Sequence, residues 1–173
     1  DAYYQEFMDW GGFPEVALES QNSIKRSRLD DIFSSYYQQE ILHLADYRKG
    51  HKVRDLLILL AVRAGSQLDL VKLSQELQVT RATIYSYLSF LKDTYFIHLI
   101  SPFSRSRDRE ISGTQKVYMC DAGILNIMAQ VNRGQVLENT VFNQLRARGT
   151  LHYFRKKTGA EVDFILNKKT AYE

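Results

Sequence analysis

The stretch DLVKLSQELQVTRATIYSYLSFLK, residues 69–92, decides the fold of the middle of this chain. Asp69 and Thr80 are of the residue types that cap helix N-termini, and each precedes a segment with helical spacing of its apolar side chains. In the second segment the positions i, i+3, i+4 and i+7 are Ile84, Tyr87, Leu88 and Leu91. The stretch therefore predicts two helices, over residues 70–77 and 81–92, joined by a tight turn.

The flanking residues extend this pair of helices into a larger motif. An apolar helical pattern covers residues 53–64, and Gly65 is well placed to end that helix. Residues rich in β-formers follow at 95–100 and 115–119, and the polar segment 101–114 between them is predicted to be a loop. Three helices followed by two strands around a loop are the order of a winged helix-turn-helix, which we predict here.

The N-terminal part is predicted to be helical. Helical spacing of apolar residues covers about 24–44, and a polar linker follows at 46–52. Pro14 suits the first turn of a further helix, and residues 1–9 have the character of the end of another one. Because the chain starts with Asp1 rather than Met, we expect it to be an internal piece of a longer protein.

The last third of the chain alternates between helices and strands. Asp121 can cap a helix over residues 122–130, and a second helix is predicted at 136–148. Strands are predicted at 151–155 and 161–166, with the start of a third strand at the end. The predicted fold class is thus mainly α with a small α/β part: a helical linker region (1–50), the winged helix-turn-helix (51–120) and an incomplete α/β module (121–173).

Composition and motifs exclude several classes of protein. The 173 residues carry a net charge of +3 and a hydrophobic content of 45%, which is ordinary for a soluble protein. No apolar run approaches the ~20 residues that span a bilayer, so no membrane partner is expected. The single cysteine, Cys120, excludes an internal disulfide and fits the cytoplasm, where we expect the protein. The sequence contains no P-loop, no nucleophile motif and no His-x-x-x-His or Cys-x-x-Cys pair, so neither ATP hydrolysis nor a structural zinc site is expected.

Nucleic-acid binding is one candidate function of a winged helix. The helix at 81–92 has Ala82, Ser86 and Ser89 opposite its apolar stripe, which is a poor surface for reading base edges. The loop that follows is more basic and can contact phosphates, which positions DNA without reading its sequence. The candidate DNA-binding residues are Arg81, Tyr85, Arg105, Arg107, Arg109 and Lys116. The alternatives are a protein-docking surface and a loop that is merely solvated.

Three acids in the last third suggest an enzymatic hypothesis. Glu138 lies in the second predicted helix of this part, Asp163 in its second strand and Glu173 in its third. A helix carboxylate and two strand carboxylates can hold Mg²⁺, and such an ion activates water for phosphodiester cleavage. The alternative is that these acids are solvated or paired with the basic neighbours Arg155, Lys156 and Lys157.

Several short motifs occur in a specific order along nearly the whole chain. They are Gly11-Gly12-Phe13-Pro14-Glu15-Val16, Lys116-Val117-Tyr118, Asp121-Ala122-Gly123-Ile124, Gly134-x-x-x-Glu138, Tyr153-Phe154-Arg155 and Glu161-Val162-Asp163-Phe164. In this order they resemble the C-terminal region of a large family of bacterial and archaeal AAA-type ATPases, in which the first motif follows the ATPase core. The chain departs from the family pattern at Gln39-Glu40-Ile41, where relatives often have an Arg-Asp pair.

The resemblance implies an architecture and a set of partners. The family has an N-terminal P-loop ATPase domain, which would bind ATP and Mg²⁺ and contact this chain, and a last module that resembles a restriction endonuclease. By motif match, Glu138, Asp163 and Glu173 would be the acids and Mg²⁺ ligands of that module, completed by a lysine two residues after Glu173. The implied function is an accessory region that binds a DNA backbone or a protein partner and has no ATPase activity of its own. A Mg²⁺-dependent nuclease module and a purely protein-binding module are the alternatives.

Overall fold

The computed structural model describes residues 2–41, 50–156 and 159–173. In this part of the chain the helices are α1 (Ala2–Trp10), α2 (Pro14–Ala17), α3 (Asn22–Tyr36), α4 (Gly50–Val62), α5 (Leu70–Glu76), α6 (Arg81–Asp93), α7 (Arg107–Ser112), α8 (Ala122–Met128) and α9 (Arg133–Arg146). The strands are β1 (Ile97–Ile100), β2 (Lys116–Met119), β3 (Leu151–Arg155), β4 (Glu161–Leu166) and β5 (Thr170–Tyr172). The prediction of a mainly α fold with a small α/β part is confirmed. None of the described helices has both the length and the apolar character needed to cross a membrane.

The predicted caps begin helices α5 and α6. The Asp69 carboxylate accepts hydrogen bonds from the backbone N–H groups of Val71 and Lys72, both at 3.0 Å. The Thr80 hydroxyl accepts one from the N–H of Thr83 at 3.1 Å. A side-chain acceptor at this position satisfies N–H groups that have no partner within the helix, so residue type alone predicts where such a helix starts.

The long N-terminal helix differs from its predicted extent. α3 ends at Tyr36 and is followed by a π-helical turn, Tyr37–Ile41. The predicted helix end near residue 44 and the first part of the predicted linker lie outside the described residues. The last three linker residues, 50–52, instead form the start of α4. Of these three residues only Gly50 is buried, while His51 is exposed and Lys52 half-buried, so this helix start has the polar composition of a linker.

The segment predicted to be a loop after β1 contains the short helix α7. Ahead of the helix, the backbone N–H of Phe103 donates to the carbonyl oxygen of Tyr153 at 2.6 Å, and Pro102 forms a parallel bridge with Tyr153. On α7 itself, Glu110 forms an ion pair with Lys168 at 2.8 Å. Contacts with the β3–β5 sheet therefore position this segment, and its polar sequence has no apolar period from which a helix can be predicted.

The strands form two antiparallel sheets. In the first, β1 pairs with β2 so that Ile97 lies opposite Met119 and Ile100 lies opposite Lys116. In the second, β4 is the central strand between β3 and β5. Successive side chains of a strand point to opposite faces, so Lys116 and Tyr118 share one face of β2.

Two hydrophobic cores hold these elements together. The first contains buried residues from α1, α3, α4, α6 and α8, among them Met8, Leu29, Leu57, Ile84 and Ile124. The second lies between α9 and the β3–β5 sheet and contains Ile100, Tyr118, Phe142, Leu145, Leu151, Tyr153 and Phe164. Strand β2 contributes Val117 and Met119 to the first core and Tyr118 to the second. It therefore lies between the two cores and presents one face to each.

Candidate functional site

The most unusual polar arrangement of the described residues is a lysine surrounded by three carboxylates. The Nζ atom of Lys116 lies 3.2 Å from Glu138 Oε1, 2.6 Å from Glu161 Oε1 and 3.3 Å from Asp163 Oδ1. The lysine side chain is only 3% exposed, while those of the acids are between 21% and 37% exposed. We call Glu138, Glu161 and Asp163 the carboxylate cluster.

Three elements bring these groups together. Lys116 begins β2, Glu138 lies on α9, and Glu161 and Asp163 lie two residues apart on one face of β4. Tyr118, on the same face of β2 as Lys116, donates a hydrogen bond from its Oη atom to Glu138 Oε1 at 2.7 Å. Strand alternation on β2 and on β4 thus aims two donors and two acceptors at the same place.

The environment of the cluster shifts the pKa values of its members. Burial by itself would lower the pKa of Lys116, but hydrogen bonds to Glu161 and Glu138 and the charges of these two acids outweigh it and raise that pKa. Burial raises the pKa of the Glu138 carboxyl, opposed by the hydrogen bond from Tyr118 and by the charge of Lys116. Burial, followed by the charge of Glu138, also raises the pKa of the Tyr118 phenol. At neutral pH Lys116 is therefore a cation and Tyr118 a protonated donor.

The structure brings together two of the three acids for which a metal site was predicted. Glu138 and Asp163 both contact Lys116, whereas Glu173 is exposed beyond the end of β5 and, among the described residues, forms no ion pair with Lys116. Within residues 2–41, 50–156 and 159–173, no three His, Cys, Asp or Glu side chains are arranged to hold a metal ion. Two of the three predicted ligands are thus close together with Lys116 between them, and the Mg²⁺ site itself stays a prediction.

Lys116 requires a correction to its predicted placement, and Glu161 is an addition to the predicted site. Lys116 is predicted to contact DNA, but on β2 it is buried, because the β1–β2 register turns it toward the carboxylates rather than toward solvent. Glu161 occurs in the motif Glu161-Val162-Asp163-Phe164 but is not among the predicted ligands. The sequence feature that points to this cluster is the pair Lys116 and Tyr118, which occupy alternate positions of an otherwise apolar strand.

The other predicted DNA-binding residues lie on the surface. Residues of α6 and of the end of α7 line a groove of about 880 Å³, which we call the α6–α7 groove. Arg81 and Tyr85 line it from α6, and Ile111 lines it from α7. Arg105, Arg107 and Arg109 are exposed on and just before α7. Exposure is the condition for contact with phosphates, and the contact itself stays a prediction.

Comparisons with known proteins place the chain among proteins of unknown function. A family model described as "Domain of unknown function (DUF4143)" matches residues 133–172, and this domain is commonly found at the C-terminus of AAA ATPases. Uncharacterized protein MJ1544 of Methanocaldococcus jannaschii is 29% identical over 95% of the chain. An uncharacterized protein of Haemophilus influenzae is 27% identical over 97% of it. No solved structure gives a significant match.

The matches also bear on the length of the protein and on the cluster. The chain spans 39% of the length of the Methanocaldococcus relative and 44% of that of the Haemophilus relative. A second family model, described as "Domain of unknown function (DUF8612)", matches residues 1–135. Lys116 lies inside this match, whereas the carboxylate cluster lies inside the DUF4143 match, so the ion pairs cross between the two matched regions. The match to residues 1–135 covers most of the chain, which therefore belongs to the DUF8612 family.

Proposed function

We propose that this chain is the C-terminal accessory region of an AAA-type ATPase and that it holds a nucleic-acid backbone, without sequence preference, at the α6–α7 groove. The DUF4143 match supports the first part, because that domain commonly ends AAA ATPases. The second part rests on the order of three helices and two strands, which is that of a winged helix, and on the charges beside the groove.

The single observation that carries the nucleic-acid proposal is a set of unpaired arginines. Arg81, Arg105, Arg107 and Arg109 are exposed, and among the described residues no ion pair involves any of them. Their positive charge is not neutralised within this part of the protein. Arg81 lines the groove, and the other three arginines are exposed on and just before α7, whose last residues, Ile111 and Ser112, also line it. Exposed guanidinium groups can contact the phosphates of a duplex, and neutralising those phosphates releases counterions, which favours binding.

The same surface argues against readout of base sequence. The outer face of α6 carries Ala82, Ser86 and Ser89, which are all exposed and short. Specific contacts to base edges normally need Arg, Lys, Asn or Gln on the helix that enters the major groove. Backbone contact that positions the duplex is therefore the mode that these residues favour.

A protein partner is the alternative occupant of the groove. Three of its lining residues are exposed apolar side chains: Val71 at 48%, Tyr85 at 62% and Ile111 at 74%. Apolar and aromatic side chains are enriched in the buried centre of protein interfaces. The four arginines favour nucleic acid over this alternative, because a mainly apolar partner would offer no negative charges to pair with them.

Binding of a short fluorescent duplex, measured by anisotropy over a range of salt concentrations, tests the proposal. Log K should fall linearly with log[salt], with a slope of about −0.9 for each phosphate contacted. Replacing Arg81, Arg105, Arg107 and Arg109 together by Gln should weaken binding strongly and flatten the slope. Arg26→Gln, at an exposed position of α3, is the matched control and should change neither quantity. Absence of binding even at low salt would reject nucleic acid and favour a protein partner.

Two further expectations concern catalysis. We expect no ATP hydrolysis by this chain alone, because its sequence contains no P-loop.

A Mg²⁺-dependent nuclease remains the enzymatic alternative for the whole protein. The convergence of Glu138 and Asp163 supports it, and the lysine between them opposes it. DNA cleavage that requires Mg²⁺ and is lost in Asp163→Ala would establish it, and no cleavage with Mg²⁺ or Mn²⁺ would reject it.

A further inference from the structure

We infer that Lys116 is the resident cation of the carboxylate cluster, so that the cluster binds no divalent metal ion while this lysine is in place. Neither Lys116 nor the carboxylate cluster lines the α6–α7 groove, so this role does not depend on nucleic-acid binding. It replaces the predicted Mg²⁺ site with an internal ion-pair site that joins the two family-matched regions.

Lys116 occupies the place that a shared metal ion would take. The Lys116 Nζ atom is within 3.3 Å of one oxygen of each acid in the cluster. A Mg²⁺ ion shared by these acids would lie among the same oxygens, at about 2.1 Å from each of its ligands. The ammonium group and the ion would therefore compete for one place.

The donors of the ammonium group match the three acids of the cluster in number. A lysine ammonium group has three N–H donors and no acceptor. Hydrogen bonds join it to Glu138 and Asp163 at 3.2 and 3.3 Å, and the third carboxylate, that of Glu161, is 2.6 Å away. Each acid of the cluster thus has one contact with the ammonium group. The lysine therefore offsets the negative charge of the cluster, as a bound metal ion would.

The surrounding structure encloses the Lys116 side chain. Its backbone is paired with Ile100 in the β1–β2 sheet and forms an isolated bridge with Gln67. Its Nζ atom also lies 5.6 Å from the centre of the Tyr153 ring. Because the side chain is only 3% exposed, it would have to break its ion pairs with all three acids before an ion could take its place.

Titration of Mn²⁺ and Mg²⁺ into the protein, followed by calorimetry and by the melting temperature, tests the inference. The unmodified protein should give no saturable heat and no rise in melting temperature. Lys116→Met should melt at a lower temperature in EDTA, because three carboxylates then lack their counter-ion, and Mn²⁺ should recover part of that loss. The recovery should disappear in the double variant Lys116→Met/Asp163→Asn.

Lys72→Met is the matched control, because Lys72 is exposed on α5, and it should change neither the melting temperature nor the response to metal. Saturable binding of Mg²⁺ or Mn²⁺ by the unmodified protein that Asp163→Asn abolishes would overturn the inference. A folded Lys116→Met variant that gains no Mn²⁺ binding would also overturn it. If that variant does not fold, comparison of the unmodified protein with Asp163→Asn still decides: no metal binding by either, with a lower melting temperature for Asp163→Asn, supports the inference.

Discussion

The Asp121 carboxylate accepts the backbone N–H of Gly12 at 2.8 Å, across 109 residues of sequence. The other oxygen of the same carboxylate accepts the N–H groups of Gly123 at 2.7 Å and Ile124 at 3.2 Å, which caps helix α8. One side chain therefore both starts a helix and fastens the turn that follows α1. Two motifs that were recognised separately in the sequence are thus one structural unit.

Replacing Asp121 should destabilise the protein in proportion to the acceptors that are lost. Asp121→Ala removes the helix cap and the acceptor for Gly12, so we expect a loss of about 2 kcal/mol in the free energy of unfolding. Asp121→Asn keeps one acceptor oxygen and should cost less. Urea denaturation measures both, with the exposed Asp108→Ala as control. Equal stability of Asp121→Ala and the unmodified protein would contradict the role assigned to this carboxylate.

Gly11 should tolerate no side chain, for two reasons that can be separated. Its φ is +77°, and a Cβ atom at this position would lie 1.9 Å from Asp121 Oδ1. Gly159 has a φ of +98°, but no atom lies within 4 Å of a Cβ built there. Gly159→Ala therefore measures the cost of the positive-φ backbone conformation alone. We expect Gly159→Ala to cost about 1 kcal/mol and Gly11→Ala clearly more, measured by chemical denaturation. Equal losses would mean that contact with Asp121 contributes nothing.

His98 should make the protein sensitive to mild acid. Burial, followed by the charge of Arg146, lowers the pKa of His98 to about 4 from its ordinary 6.5, and its Nε2 atom has no hydrogen-bond partner among the described residues. The folded state binds this proton more weakly than the unfolded state. The contribution of neutral His98 to the free energy of unfolding is therefore fully present above about pH 6.5 and is lost as the pH falls toward 4.

The substitution His98→Phe tests this dependence. It keeps an aromatic ring near Phe142, whose ring centre is 5.5 Å from that of His98. The unfolding free energy should therefore differ less between about pH 7 and about pH 5 in His98→Phe than in the unmodified protein. Denaturation curves at the two pH values measure this difference, and an unchanged difference would show that His98 is not the titrating group.

Tyr118 should stabilise the cluster through its hydroxyl group rather than through its ring. Tyr118→Phe keeps the stacking on Phe142, at 4.3 Å between ring centres, but removes the hydrogen bond to Glu138. Leaving a half-buried carboxylate without this donor should cost about 1–2 kcal/mol. Thermal denaturation measures the loss, and Tyr85→Phe at an exposed position should change little. A cost no larger than that of Tyr85→Phe would be inconsistent with this role.

Most secondary structure of this chain was predictable because its causes are local. Asp69, Thr80 and Asp121 cap the helices they were expected to cap. The strands at 151–155 and 161–166 begin and end where predicted. Caps and apolar periods act over about four residues, so they can be seen in a short window of sequence.

The place of Lys116 was decided only by the tertiary structure. Its charge and its place at the start of a strand next to a basic loop favour exposure to solvent, and the carboxylates that bind it lie up to 47 residues further along the chain. The helix α7 is a similar case, because the contacts that hold it come from the β3–β5 sheet. The sequence by itself determined the strands, most of the helices and two of the three acids of the cluster, Glu138 and Asp163. Which cation these acids bind depended on the packing of β2 between the two cores, since only that packing brings a buried ammonium group to them.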